Sequence, residues 1–164
     1  MRRLCLLPAA LFLAACSAAP RPSAQSPVLG QPVRFALPTS DGALFTVPTE
    51  SSTPLVLDFF APTCVPCKTS VPALMARKAA IEARGAKLVL VAVLAEGEST
   101  ESAQQALSSW GVAAPFLADR GSVSRRELAV EKLPATVVLD SKGVVRWIAP
   151  AGAEAAEVVS AVAH

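Results

Sequence analysis

The sequence predicts a single α/β domain built on a central mixed β-sheet flanked by helices, with a β-hairpin at its amino-terminal end. Three observations carry this prediction. Two nearly continuous apolar runs, Leu55–Phe60 and Lys87–Leu94, have the composition of strands buried on both faces of a sheet. Each run is followed by a segment whose apolar residues recur at helical spacing. Two further pairs of short β-type runs, one early and one late, are each joined by turn-forming residues. Strand–helix–strand, then helix, hairpin and helix, describes an α/β domain, and no internal repeat competes with it.

In chain order, Val33–Leu37 and Leu44–Val47 flank Ser40-Asp41-Gly42 and predict the first hairpin. Leu55–Phe60 follows as a buried strand. A helix is expected from about Val65 to Arg84, because Cys67, Val71, Leu74, Met75 and Ile81 share one face. Pro72 removes a backbone donor and is expected to kink that helix, which Gly85 ends. Lys87–Leu94 is the second buried strand. From about Thr100 to Trp110 a helix presents Ala103, Ala106, Leu107 and Trp110 on one side, and Gly111 closes it. Phe116-Leu117-Ala118 reads as a short edge strand. Ser124 with Glu127 resembles a capping box for a short helix. Ala135–Leu139 and Val144–Ile148 form a hairpin around Ser141-Lys142-Gly143. A last helix is expected from about Ala153 to Ala163, with Glu154 and Glu157 in its first turns.

Residues 1–15 read as an export signal: Arg2 and Arg3 precede an apolar stretch, Leu4 to Ala15, that ends in small residues. The stretch is too short to span a bilayer, which needs roughly 20 apolar residues. Leu13-Ala14-Ala15-Cys16 resembles the lipobox of bacterial lipoproteins, which implies cleavage before Cys16 and lipidation of that residue. Several acyl chains on one residue anchor a protein stably. Ser17 after the cysteine, by the same analogy, implies sorting to the outer membrane of the cell envelope, with the domain facing the periplasm. The alternative is an ordinary signal cut later, after Ala24. Residues 16–30, rich in Pro, Ser and Ala, read as a flexible tether, and the folded domain is expected over residues 31–164.

Loss of Arg2 and Arg3 leaves 13 Lys and Arg of the original 15, against 13 Asp and Glu, so the mature protein is near neutral. No basic stripe points to nucleic acid. Of the four cysteines, Cys5 leaves with the signal and Cys16 is the expected lipid site; Cys64 and Cys67 remain. One close pair is not a disulfide scaffold, and about 130 residues can hold a core without crosslinks.

That pair is the main chemical feature. Cys64-Val65-Pro66-Cys67 lies where a buried strand gives way to a helix. A thiol at a helix start meets unpaired N–H groups and the positive end of the helix dipole, and both favour thiolate. Cys64 is therefore the expected nucleophile. Cys67, a turn later, can close a small ring with it. Zinc takes about four ligands, and the mature chain offers two cysteines and His164, so neither a metal nor another cofactor is expected. An inert bridge over so short a loop adds little entropy. Asp58, alone in an apolar strand, is expected to have its pKa raised by burial; the other reading is a solvent-facing strand end.

Asp58-Phe-Phe-Ala-Pro-Thr-Cys-Val-Pro-Cys-Lys68, with Pro72 five residues beyond the second cysteine, resembles the thioredoxin active-site segment. Leu133-Pro134-Ala135-Thr136 resembles that family's cis-proline loop. The amino-terminal hairpin and the helix between Thr100 and Trp110 are similar to the TlpA/ResA branch of exported thiol:disulfide oxidoreductases. The resemblance implies a thioredoxin-like fold over residues 31–164 and a role for each matched residue. Cys64 attacks a substrate disulfide and Cys67 resolves the mixed disulfide. Asp58 accepts the proton of Cys67, and Leu133 with a cis Pro134 pairs with an extended substrate strand. Two positions depart from the family. Thr63 replaces the usual tryptophan, and Ala92 falls near the lysine that pairs with the buried aspartate in thioredoxins.

Val65-Pro66 offers no charge to support the thiolate, so the expected direction is reduction of disulfides in exported proteins, among them apocytochrome c or copper-site proteins. The resemblance implies a membrane electron donor of the DsbD/CcdA type. Rival readings are a peroxiredoxin-like peroxidase, a copper-handling protein on the same fold and a non-catalytic lipoprotein. The first lacks its P-x-x-x-T-x-x-C arrangement here, since Pro62-Thr63-Cys64 are contiguous. The second is typified by C-x-x-x-C with a distant histidine.

Overall fold

The computed structural model describes residues 28–121, 123–150 and 153–162. The export signal, Cys16, the tether as far as residue 27, and His164 lie outside the described residues. The described chain runs β1 (Phe35–Pro38), β2 (Leu44–Val47), β3 (Leu55–Phe60), α1 (Cys67–Met75), α2 (Lys78–Glu82), β4 (Lys87–Val93) and α3 (Thr100–Ser109). It continues through β5 (Phe116–Asp119), a π-helical turn (Val123–Glu127), β6 (Ala135–Leu139), β7 (Val145–Ile148) and α4 (Ala155–Ala161). β1 and β2 form an antiparallel hairpin, and the other five strands form one mixed sheet in the order β5-β4-β3-β6-β7. β3, β4 and β5 are parallel; β6 and β7 complete the sheet antiparallel. This is the architecture the sequence predicts.

β3 is central because all six of its residues are buried. Its alternation divides the core. Leu55, Leu57 and Phe59 meet Val89, Val91, Val137 and Leu139 under a cover that includes Val47 and Val123. Val56 faces Leu74, Ile81 and Val158, while Phe60 faces Cys67, Val71, Ala103 and Leu107. The four α-helices thus share one face, and the hairpin with the π-helical turn covers the other. Handedness explains the sharing. The crossovers β3–α1–β4 and β4–α3–β5 step the same way across the sheet, so right-handed connections put α1 and α3 on one side. Phe60 binds this layer together through edge-to-face contacts with Trp110 and Phe116, at centroid distances of 5.8 and 6.0 Å.

The segment around the first hairpin also occupies both sheet edges, which would otherwise present unpaired backbone groups. Ser40 N–H donates to the Phe116 carbonyl at 2.8 Å beside β5. Val33 N–H donates to the Gly143 carbonyl at 2.9 Å and Val145 N–H to the Gln31 carbonyl at 3.0 Å beside β7. Gly143 has φ +79°, and a Cβ there would lie 2.8 Å from the Val33 carbonyl oxygen. Only glycine fits that approach without displacement.

Two expectations need correction. The single helix from Val65 to Arg84 is two, α1 and α2, parted at Ala76–Arg77. Pro72 lies inside α1, and the break comes after Met75, where Arg77 N–H bonds back to the Leu74 carbonyl three residues earlier and Arg77 adopts φ −97°, ψ 0°. Gly85 ends α2 as expected: its N–H reaches the Glu82 carbonyl and that of Ala86 the Ile81 carbonyl. The second correction concerns Ser124, whose buried hydroxyl has no hydrogen-bond partner among the described residues and so caps nothing there. The carboxylate of Asp119 takes that part, accepting from Val123 N–H at 3.2 Å and Ser124 N–H at 2.8 Å. The turn it starts is π-helical, with Leu128 N–H donating to the Val123 carbonyl five residues back. α3 does carry a capping box, made by Ser99 and Ser102.

Candidate active site

β3 delivers the chain to a tight turn in which Cys64 N–H donates to the Ala61 carbonyl at 3.1 Å. Pro66 is the N-cap of α1, a position where its missing N–H is harmless. Cys64 and Cys67 form a disulfide, with sulfurs 2.02 Å apart. Cys67 N–H donates to the Cys64 sulfur at 3.2 Å, so that sulfur takes one of the orphan donors of the helix start. The two cysteines differ in access: Cys64 is partly exposed and Cys67 is 0% exposed. An incoming sulfur can reach only the first.

Asp58 lies in mid-β3 and is buried, which excludes a solvent-facing strand end. Its register partners are Leu90 on β4 and Thr136 on β6; Ala92 stands opposite Phe60. Alternation places Asp58 on the same sheet face as Phe60, the face that carries α1 and Cys67. The Thr136 hydroxyl donates to Asp58 Oδ1 at 2.8 Å, and Oδ2 has no partner among the described residues. Burial, partly offset by that hydroxyl, pushes the Asp58 carboxyl up to about 7.

The peptide bond between Leu133 and Pro134 is cis, as the loop resemblance implies; a second cis bond, Val47–Pro48, was not expected. Leu133 is half-buried against the apolar cluster that holds Cys64 and Cys67, and Pro134 is exposed. A cavity of about 780 Å³ opens beside this cluster, lined by Asp58, Pro66, Ser70, Pro134 and Thr136 among others, though by neither cysteine. The structure therefore sets Cys64, Cys67 and Leu133 in one apolar cluster at the start of α1, with Asp58 of β3 and Pro134 on the adjoining cavity. Cys16 lies outside the described residues.

Sequence reasoning missed several members of this neighbourhood. Thr136 was visible only as part of the proline loop, and the β3–β6 register is what sets it against Asp58. Ser70 lines the cavity with a buried hydroxyl that has no partner among the described residues. Thr63 donates its hydroxyl to Glu98 at 3.0 Å. No local pattern pairs residues so far apart in sequence.

The model of the AhpC/TSA family matches residues 29–148. The chain belongs to the AhpC/TSA family. No curated protein matches the sequence. Among solved structures the chain is similar to a thiol:disulfide interchange protein of the thioredoxin family from Chlorobium tepidum, at 20% identity and TM-score 0.63, over 85% of this chain and 97% of that one. It is similar to MTB dsbF, solved in mixed oxidized and reduced forms, at 26% identity and TM-score 0.60, over 78% and 92% of the two chains. A third likeness is to the exposed lipoprotein thioredoxin Etrx1 of Streptococcus pneumoniae, at 21% identity and TM-score 0.63, over 79% and 98%. The fold is thioredoxin-like, and its C-x-x-C pair is the Cys64–Cys67 disulfide.

Proposed function

We propose that this AhpC/TSA-family protein is a lipid-anchored thiol:disulfide oxidoreductase that reduces disulfides of exported proteins. The observation that carries the reading is a disulfide between a reachable Cys64 and a sealed Cys67 at the start of α1. In the dithiol state the Cys64 thiolate attacks one sulfur of the substrate disulfide and expels a substrate thiolate. Asp58 takes the proton of Cys67, whose thiolate then attacks the Cys64 sulfur of the mixed disulfide and expels the second substrate thiolate. Two electrons pass to substrate, and the disulfide described above is the product. With its carboxyl near 7, Asp58 can exchange that proton at neutral pH, and the adjoining cavity offers a way out. Leu133, before the cis Pro134, presents backbone to an extended substrate strand.

An equilibrium titration against glutathione tests the direction. The expected potential lies well below the roughly −120 mV of the strong oxidant DsbA; a value near that figure overturns the reductase assignment.

The address rests on Leu13-Ala14-Ala15-Cys16 and on the named lipoprotein among the structural neighbours. Lipid on Cys16 would hold the domain at the cell envelope, at the outer membrane by the Ser17 rule, with no helix among the described residues long and apolar enough to cross a membrane. Regeneration would fall to a membrane dithiol donor of the DsbD/CcdA type, and the substrates would include apocytochrome c or copper-site proteins. Mass spectrometry of the mature amino terminus checks the anchor; a peptide that starts beyond Cys16 removes it.

The family match favours one second reading, a peroxidase in which peroxide oxidises the Cys64 thiolate and Cys67 then condenses with it. Peroxide consumption by the reduced protein separates the two, and only a slow rate, like that of a free thiol, fits the reductase.

A further inference from the structure

The loop that carries Cys64 is fastened to a second loop by a single carboxylate. Thr63 Oγ1 donates to Glu98 Oε1 at 3.0 Å, and the Ala95 N–H donates to Glu98 Oε2 at 2.8 Å. The Glu98 N–H in turn donates to the Ala95 carbonyl at 3.1 Å, and Gly97 between them has φ +82°. Glu98 is half-buried and stands immediately before Ser99, the cap of α3. Both its oxygens are therefore used, one to close the turn after β4 and the other to reach across to the residue that precedes Cys64. The ion pairs found among the described residues, Lys78–Glu82 and Arg146–Asp140, do not include it.

We propose that Glu98 is a positioning residue for Cys64: held by Thr63 and the Ala95 amide, it fixes the loop of the nucleophile and sets a negative charge beside it. Thr63 is the neighbour of Cys64 in the chain, so the carboxylate that its hydroxyl holds sits at the loop of the nucleophile, where its charge acts on the thiol. A like charge disfavours the thiolate. The thiolate is the form that makes a dithiol easy to keep, so opposing it favours the disulfide and strengthens the pair as a reductant. The helix start pulls the other way. Glu98 thus tempers the acidity that the start of α1 confers. The proposal rests on the oxidoreductase reading of the same cysteines.

The test compares E98Q, T63V and T63S with the wild type as oxidised and reduced full-length protein. E98Q removes the charge and leaves one acceptor; it is expected to lower the pH at half-maximal Cys64 alkylation. It should also shift the equilibrium with glutathione toward the dithiol by about two- to fivefold at low salt, the range of a partly exposed charge interaction. In 1 M salt that difference should shrink. T63V should move both quantities the same way and less far, while T63S, which keeps the hydroxyl, should match the wild type. Unchanged alkylation and glutathione equilibria in E98Q and T63V, a change confined to thermal stability, or shifts of opposite sign would each overturn the proposal. If the wild type itself failed to exchange with glutathione, the oxidoreductase reading would fall first and take this one with it.

Discussion

The hydroxyl of Thr136 donates to the carboxyl of Asp58 at 2.8 Å across the β3–β6 pair, and it is the bond that offsets the desolvation of that carboxyl. A hydrogen bond to the charged form favours it, while burial favours the neutral acid, and here burial wins. Thr136→Val removes the donor and keeps the shape. The Asp58 carboxyl should then rise further above 7, and the pH at which mixed-disulfide resolution reaches half its maximum should rise with it. Thr136→Ser should restore the wild-type profile. Identical pH–rate profiles for all three proteins would separate Asp58 from the resolution step.

Asp58 also ties activity to stability. Its carboxyl rises from 3.8 to about 7 on folding, so the folded state holds the proton more tightly than the unfolded chain. The stability this confers is fully present below about pH 4 and is lost as pH rises through 7. A rise of that size corresponds to on the order of 4 kcal/mol. Asp58→Asn cannot titrate, so its stability should exceed that of the wild type by a margin that grows between pH 4 and 8, read by urea denaturation of the oxidised protein. Resolution by Cys67 should slow by about tenfold or more at pH 7, as expected when a general base is lost. Parallel stability curves for the two proteins would contradict the burial argument.

The exposure difference between the cysteines predicts their order of reaction. In the reduced protein, iodoacetamide should modify Cys64 and leave Cys67, which is 0% exposed, until the chain is denatured. Cys67→Ser should trap a mixed disulfide with a model substrate, and Cys64→Ser should trap none. A trapped adduct on Cys67 in the Cys64→Ser variant would reverse the assigned roles.

What the sequence revealed divides along a physical line. Leu55–Phe60 announced itself as a central strand because burial on both faces demands an apolar residue at every position, and Asp58 stood out for breaking that demand. Cys64, Cys67 and the Leu133–Pro134 loop were legible because their chemistry depends on local spacing and on a recognisable loop. Interactions set by register or by loop packing were not legible. Thr136 meets Asp58 only once β6 has docked beside β3, and Glu98 meets Thr63 only once α3 has packed on the α1 face. The break at Arg77 leaves no mark in the apolar pattern because Leu74 and Ile81 keep the same helical face on either side of it. Ser124 misled for a related reason. Its spacing to Glu127 matched a capping pattern, but a carboxylate at the end of β5 already occupied the donors.

That carboxylate supplies the last prediction. Asp119 is 0% exposed, and it accepts from the Val123 and Ser124 amides that open the π-helical turn. Val123 and Leu128, on and just after the turn, pack under the sheet in the cluster that Leu133 also touches. Loosening the turn should therefore reach the proline loop through packing. Asp119→Ala leaves those amides without their acceptor and should cost about 2–4 kcal/mol, given that bonds to a charged group are stronger than neutral ones. Asp119→Asn keeps one acceptor oxygen and should fall between the two. In a substrate-reduction assay at a temperature where the Ala variant remains folded, KM should rise more than kcat falls, because Leu133 and Pro134 are assigned to binding and the cysteines are untouched. Wild-type denaturation midpoints for Asp119→Ala would show that the turn is held by its apolar residues alone.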